Sequence, residues 1–152
     1  MPERSATFNL DFYNLIETLS GALDLVGGRN NGHGKIVAYI ALTLAEGLGL
    51  PPEELDDLRT AALLHNAGVS RTSVHEQMRR LDWDKASQYS CEGAELLKVF
   101  SPFARPAKII LHQRVRWDRL AASDTEPGVA RPANLVFLAD RINTLLDRDR
   151  EL

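Results

Sequence analysis

The sequence is poor in cysteine and has no long apolar run. Cys91 is the only cysteine, which excludes a disulfide within the chain and is typical of a reducing compartment. No stretch of 18 consecutive apolar residues occurs, and the first fifteen residues lack the basic start and apolar run of a secretory signal. We therefore expect a cytoplasmic protein without a membrane partner.

The sequence also lacks a strong excess of charge of either sign. It carries 18 Lys and Arg against 21 Asp and Glu, a net charge of -3, so there is no general attraction for nucleic acid or anionic lipid. Arg114, Arg116 and Arg119 form a local basic patch, but aromatic residues do not alternate with them as in a nucleic-acid groove. We expect no nucleic-acid partner.

No segment shows the alternating pattern of a half-buried strand, and no internal repeat occurs. Apolar residues instead recur at three- and four-residue steps, which predicts an all-α domain of about six to seven helices. The predicted helices cover about residues 10–26, 35–48, 53–65, 73–80, 86–99 and 106–116, and a last one from near 133. The segment 121–132, with Pro127, Gly128 and Pro132, is predicted to be the longest loop. With 152 residues, of which 44% are hydrophobic, the chain is expected to form one domain with a sizeable core.

Three ionisable residues fall on the predicted inner sides of separate helices. His33 lies one turn before Val37, His65 ends the third helix, and Asp140 lies within a turn of Val136. Taken singly, each has a structural explanation: a helix cap or surface position for His33, the negative end of the helix dipole for His65, and a backbone hydrogen bond for Asp140. Only their joint order within the runs of sequence described next indicates a shared role as metal ligands.

Several runs of the sequence, in register, resemble the HD superfamily of metal-dependent phosphohydrolases, and most closely its HD-GYP branch. These runs are HGKIVAYIALTLAEGLGL, AALLHNAG, CEGAELL, RVRWD and LADRI, and the resemblance extends from about residue 10 to the end of the chain. It implies an HD-domain-like helical bundle in which two or three divalent ions, usually iron or manganese, activate water to attack a phosphodiester such as that of cyclic di-GMP. Members of the branch usually continue for two more helices, so residues 1–152 are expected to be a single domain without the family's last helices. The resemblance further implies receiver or sensor domains in a longer bacterial signalling chain, and we expect a homodimer.

His33, His65 and Asp140 match the family's ligand motif, but other ligand positions differ. The sequence has Asn66 in place of an Asp, Arg29 where a Glu often stands, Tyr89 in place of a His, Gln113 and Arg114 in place of paired histidines, and RWDRLAASD without the GYP stretch. Guanidinium groups stay protonated and cannot coordinate a metal. We therefore expect no cofactor. The alternative is a single Mn or Fe ion on His33, His65 and Asp140, with Asn66 offering a neutral oxygen.

Two hypotheses follow from the arginines gained at these positions. In the first, Arg114 or Arg29 pairs with Asp140 in place of the metal. In the second, a pocket formed by Arg29, Tyr89, Gln113 and Arg114 binds a nucleotide or phosphate, because planar guanidinium groups suit phosphate oxygens.

Three functions remain open at this stage, and no residue is assigned a catalytic role. The favoured one is a catalytically inactive domain, a pseudoenzyme that acts as a regulatory or ligand-binding module in bacterial signalling. The second is a phosphohydrolase, a phosphodiesterase of the cyclic di-GMP type, with a reduced site of one metal ion. The third is a structural domain that only oligomerises.

Overall fold

The computed structural model describes residues 11–28, 32–69 and 86–150. These residues contain seven α-helices, one short 3₁₀ turn at Ser101–Phe103 and no strand, which confirms the predicted all-α fold. The helices are α1 (Phe12–Val26), α2 (His33–Gly47), α3 (Pro52–Leu63), α4 (Ala86–Leu97), α5 (Ala104–His112), α6 (Trp117–Ala121) and α7 (Pro127–Arg150). The predicted helix at 73–80 lies outside the described residues.

The connection between α2 and α3 is determined by its own sequence. Gly49 adopts a φ of 69° just after the end of α2, a left-handed conformation that glycine adopts without steric cost. Pro52 then occupies the first turn of α3, followed by Glu53 and Glu54, which are favourable at the positive end of the helix dipole. Both boundaries therefore lie close to the predicted ones.

The core lies where α2, α3, α5 and α7 meet. α2 packs against α3 and α7, and α5 packs against α4 and α7. The packed side chains are apolar and almost fully buried, among them Val37, Leu58, Ile109, Ile110 and Val136. This arrangement brings the start of α2, the end of α3 and the middle of α7 together, which places His33, His65 and Asp140 next to one another.

The predicted loop at 121–132 is wrong. α6 ends at Ala121 and α7 already begins at Pro127, so that Pro132 lies inside a helix. Pro127 is favourable at the first helical position, whereas Pro132 removes one backbone hydrogen bond. Burial of Val129, Ala130 and Ala133 against the core offsets that loss, and this compensation is not visible in the local sequence. The fifth helix likewise ends at His112 rather than near residue 116.

α4 approaches the turn after α3 through two glycines. A Cβ atom added to Gly68 would overlap the carbonyl oxygen of Tyr89, and one added to Gly93 would lie 2.9 Å from the Gly68 nitrogen. Two backbones can approach this closely only where neither carries a side chain. The contact fixes α4 against the segment that carries His65 and Asn66.

Within the described ranges, no helix combines the length and apolarity needed to cross a membrane.

Candidate metal centre

His33 is the first residue of α2, and the backbone around it fixes its place. Gly32 precedes it with a φ of 69°. The backbone N–H of Gly34 donates to the carboxylate of Asp24, with distances of 3.2 and 3.3 Å to its two oxygens. A buried carboxylate at the positive end of a helix satisfies an otherwise unpaired donor. Asp24 on α1 therefore anchors the helix start that carries His33.

His65 lies in the turn after α3, and two hydrogen bonds determine its orientation. Its Nδ1 is 2.7 Å from the carbonyl oxygen of Ala62, so Nδ1 donates a proton there, and Nε2 is the ring nitrogen that faces His33 and Asp140. The side-chain amide of Gln113 donates to the carbonyl oxygen of His65 at 2.9 Å and to Ser90 Oγ at 3.4 Å. Gln113 is thus held by the protein itself and positions His65.

Three ligand atoms converge between the helices. His33 Nε2 lies 3.3 Å from His65 Nε2 and 3.3 Å from Asp140 Oδ1, and His65 Nε2 lies 3.6 Å from the same oxygen. An ion about 2.1 Å from each atom would separate them by about 3.0 Å in octahedral and about 3.4 Å in tetrahedral geometry. All three residues are buried. His33, His65 and Asp140 therefore fit one divalent metal ion without rearrangement of the backbone.

Asn143 supports His33 from behind, a role that the sequence analysis did not assign. Its side-chain amide nitrogen lies 2.7 Å from His33 Nδ1, and the residue is buried. When His33 Nε2 binds an ion, Nδ1 carries the proton, and the Asn143 amide turned by 180° places its oxygen there to accept it. The sequence feature that could have indicated this role is the position of Asn143 three residues after Asp140, on the same side of the helix.

Replacing Asn143 with alanine is expected to weaken Mn²⁺ binding by about 10- to 100-fold, because His33 loses the hydrogen bond that orients its ring. The measurement is the dissociation constant for Mn²⁺ from electron paramagnetic resonance of the free ion. Asn134→Ala is the matched control, since Asn134 lies on the same helix but lines a cavity with Leu48 and Trp117. Equal affinities of the two variants would show that Asn143 does not support the site.

The electrostatics of the centre depend on Asp140. Burial alone would raise the pKa of its carboxyl, but the hydrogen bonds from His33 and His65, together with the charge of Arg114, hold that pKa well below its ordinary value. Arg114 Nη2 lies 3.5 Å from Asp140 Oδ2, and both side chains are less than 10% exposed. Burial lowers the pKa of Arg114, and the charge of Asp140 opposes this shift. The contact of Arg114 with Asp140 predicted from the sequence is present.

A second guanidinium lies close by, on Arg141. It sits over the ring of Phe137, 4.6 Å from the ring centroid. Burial, together with the charge of Arg114, lowers the pKa of Arg141 to about 10, and Asp140 opposes the shift. Arg141 therefore adds positive potential beside the centre, and the sequence analysis did not single it out.

Of the remaining predicted site residues, the structure describes Asn66 and Tyr89. Asn66 is buried, and its Oδ1 has no hydrogen-bond partner among the described residues. Tyr89 is half-buried on α4, and within the described part of the chain no hydrogen bond joins its side chain to the three ligands. Arg29 lies outside the described residues. The structure thus brings Arg114 to the ligands and uses Gln113 as a support for His65.

The comparison with known protein families agrees with this geometry. The HD domain model matches residues 32–145, a range that contains all three ligands. The chain belongs to the HD domain family. A relative, the 3'3'-cGAMP-specific phosphodiesterase 1 of Vibrio cholerae serotype O1, is 30% identical over 139 residues, which are 91% of this chain and 32% of the relative. This HD domain chain thus spans about a third of the relative's length, and no solved structure matches it.

The expectation that the chain binds no cofactor is wrong. Three buried ligand groups lie within 4.8 Å of one another in a chain of the HD domain family, and they point to a divalent metal cofactor. The expectation rested on the number of lost ligand positions and on the arginines that stand at two of them. Arg114, however, contacts Asp140 through Oδ2, so Oδ1 remains directed at the two histidines.

Proposed function

We propose that this HD domain binds a phosphodiester, such as a cyclic dinucleotide, and serves as a regulatory module that turns the ligand over very slowly or not at all. One divalent ion on His33, His65 and Asp140 would bind one phosphoryl oxygen. Arg114 would lie beside it as a fixed positive charge. The observation that carries the proposal is the buried Arg114 guanidinium, 3.5 Å from the carboxylate that also faces both histidines.

Two observations favour a phosphodiester as the ligand: the positive charge at the centre and the specificity of the relative. A metal ion and a guanidinium side by side attract an anion with several oxygens, and guanidinium binds phosphate through two parallel hydrogen bonds. Arg141 adds to the positive potential. The relative's specificity for 3'3'-cGAMP makes cyclic dinucleotides the first ligands to test.

Slow turnover follows from the number of ligands. A bound divalent ion polarises a phosphoryl oxygen and lowers the pKa of water, and two-ion sites stabilise the attacking and the leaving oxygen together. The cluster formed by the described residues has three ligands. The adjacent Asn66 offers only a neutral oxygen. With His33, His65 and Asp140 engaged as ligands, none of the three is left to accept a proton from water or to donate one to the leaving group.

The second candidate is a metal-dependent phosphodiesterase that works with this one-ion site. It is favoured by the similarity to a phosphodiesterase and by the fit of two imidazoles and a carboxylate to one ion. In this case water would attack the phosphorus, and Arg114 would stabilise the charge that develops on the phosphoryl oxygens.

Calorimetric titration of the Mn²⁺-loaded chain with 3'3'-cGAMP and cyclic di-GMP tests the proposal, with chromatography of the same samples to detect cleavage. Binding that requires Mn²⁺, without cleavage over hours, supports the regulatory module. Cleavage that disappears in His65→Ala supports the phosphodiesterase instead. If neither nucleotide binds and neither shifts the melting temperature, the phosphodiester proposal is wrong.

A further inference from the structure

The two oxygens of Asp140 face different groups. Oδ1 lies 3.3 Å from His33 Nε2 and 3.6 Å from His65 Nε2, whereas Oδ2 lies 3.5 Å from Arg114 Nη2. The Asp140 side chain is 9% exposed and the Arg114 side chain 6% exposed. The carboxylate is therefore fixed between the candidate metal position and a buried guanidinium.

Because its second oxygen faces a guanidinium group, Asp140 directs only one oxygen at a metal position. Two metal ions about 3.5–4 Å apart are commonly joined by groups that use one oxygen for each ion. Here the second oxygen faces a group that stays protonated and has no lone pair to offer a metal. A second ion on that side would approach a positive charge that is poorly screened because it is buried.

We propose that Arg114 takes the position of a second cation, so that the centre binds one metal ion and binds it more weakly than the three ligands alone would. Arg114 is then a residue that determines metal stoichiometry and affinity. The inference rests on the metal site of the proposed function, but it concerns the ion alone and needs no nucleotide. Its failure is therefore distinguishable from failure of the phosphodiester proposal.

A purely structural role for Arg114 predicts a different result. If its only task were to neutralise buried Asp140, replacing it would destabilise the fold and would loosen the carboxylate, so that metal binding would weaken or stay the same. If Arg114 repels the ion, replacing it strengthens metal binding. The direction of the change in Mn²⁺ affinity separates the two roles.

The experiment compares wild type with Arg114→Gln, Arg114→Lys and Arg116→Gln, all stripped with chelator and titrated with MnCl₂ while free Mn²⁺ is followed by electron paramagnetic resonance. Arg116→Gln is the matched control, because it removes the same charge at a position two residues from Arg114. The Arg116 side chain is 76% exposed and faces Asp118. We expect one Mn²⁺ in wild type and a dissociation constant about tenfold or more lower in Arg114→Gln. Arg114→Lys, which keeps the charge, and Arg116→Gln are expected to stay close to wild type.

Three outcomes overturn the inference: two ions in wild type, unchanged or weaker binding in Arg114→Gln, or equal tightening in Arg114→Lys. Arg114→Gln is also expected to gain more in melting temperature from Mn²⁺ than wild type does, because the stabilisation by a ligand grows with the logarithm of its concentration divided by its dissociation constant. If Arg114→Gln fails to fold even with Mn²⁺, the wild-type stoichiometry decides, since one ion supports the inference and two overturn it.

Discussion

Replacing Asp140 with asparagine is expected to reduce bound Mn²⁺ from about one equivalent to less than about a tenth. Asp140 supplies the only negative charge among the three ligands, and its Oδ1 is the atom that both histidines face. An amide of similar size keeps an oxygen but not the charge, so the ion is left with two neutral imidazoles and a neutral oxygen. Metal analysis by mass spectrometry after equilibration with Mn²⁺ measures the change.

The same variant is expected to lower the free energy of unfolding by about 3 kcal/mol, because removal of one partner from a buried ion pair leaves the other charge in a poorly solvated place. Arg114 is that other charge, with its side chain 6% exposed. Urea unfolding in the presence of chelator measures the loss separately from metal binding. Asp118→Asn is the control, since Asp118 faces exposed Arg116 with its own side chain 63% exposed. Full metal occupancy in Asp140→Asn would show that the centre lies elsewhere.

Replacing Gly68 with alanine is expected to destabilise the chain by about 3 kcal/mol or more, within the range of severe overpacking. The new Cβ would overlap the carbonyl oxygen of Tyr89 and lie 2.6 Å from the Gly93 nitrogen. Both atoms belong to the backbone of α4, so the strain can be relieved only if α4 or the turn after α3 moves. Because the turn that contains Gly68 also carries His65, we expect weaker Mn²⁺ binding together with the lower midpoint of urea unfolding.

Gly21→Ala is the control for this prediction. Gly21 lies inside α1, and an added Cβ would meet no atom within 4 Å. Alanine there is expected to raise stability by about 0.5–1 kcal/mol, since glycine loses more backbone entropy on folding. A Gly68→Ala protein as stable as Gly21→Ala would mean that α4 does not pack closely on the turn after α3.

Much of the helical structure follows from local sequence. The three- and four-residue spacing of apolar residues predicts the helices that contain Val37 and Leu58, and Gly49 and Pro52 mark the boundary between them within a few residues. The sequence predicts the start of the last helix six residues too late, because proline at position 132 is unfavourable inside a helix. Packing of the neighbouring apolar side chains against the core overrides that local preference.

The sequence by itself determined the family and the identity of the three candidate ligands, because His33, His65 and Asp140 fall within runs that resemble HD domains and within the residues that the HD domain model matches. Only the tertiary structure decided which side chains orient these ligands and which positive charge lies beside Asp140. Asn143 meets His33 across 110 positions of the chain, and Gln113 meets the His65 carbonyl across 48. Arg114 lies 3.5 Å from Asp140 Oδ2, whereas both histidines face Oδ1. Such contacts depend on how α2, α5 and α7 pack against one another, and helical periodicity describes each helix separately without fixing the distance between side chains on different helices.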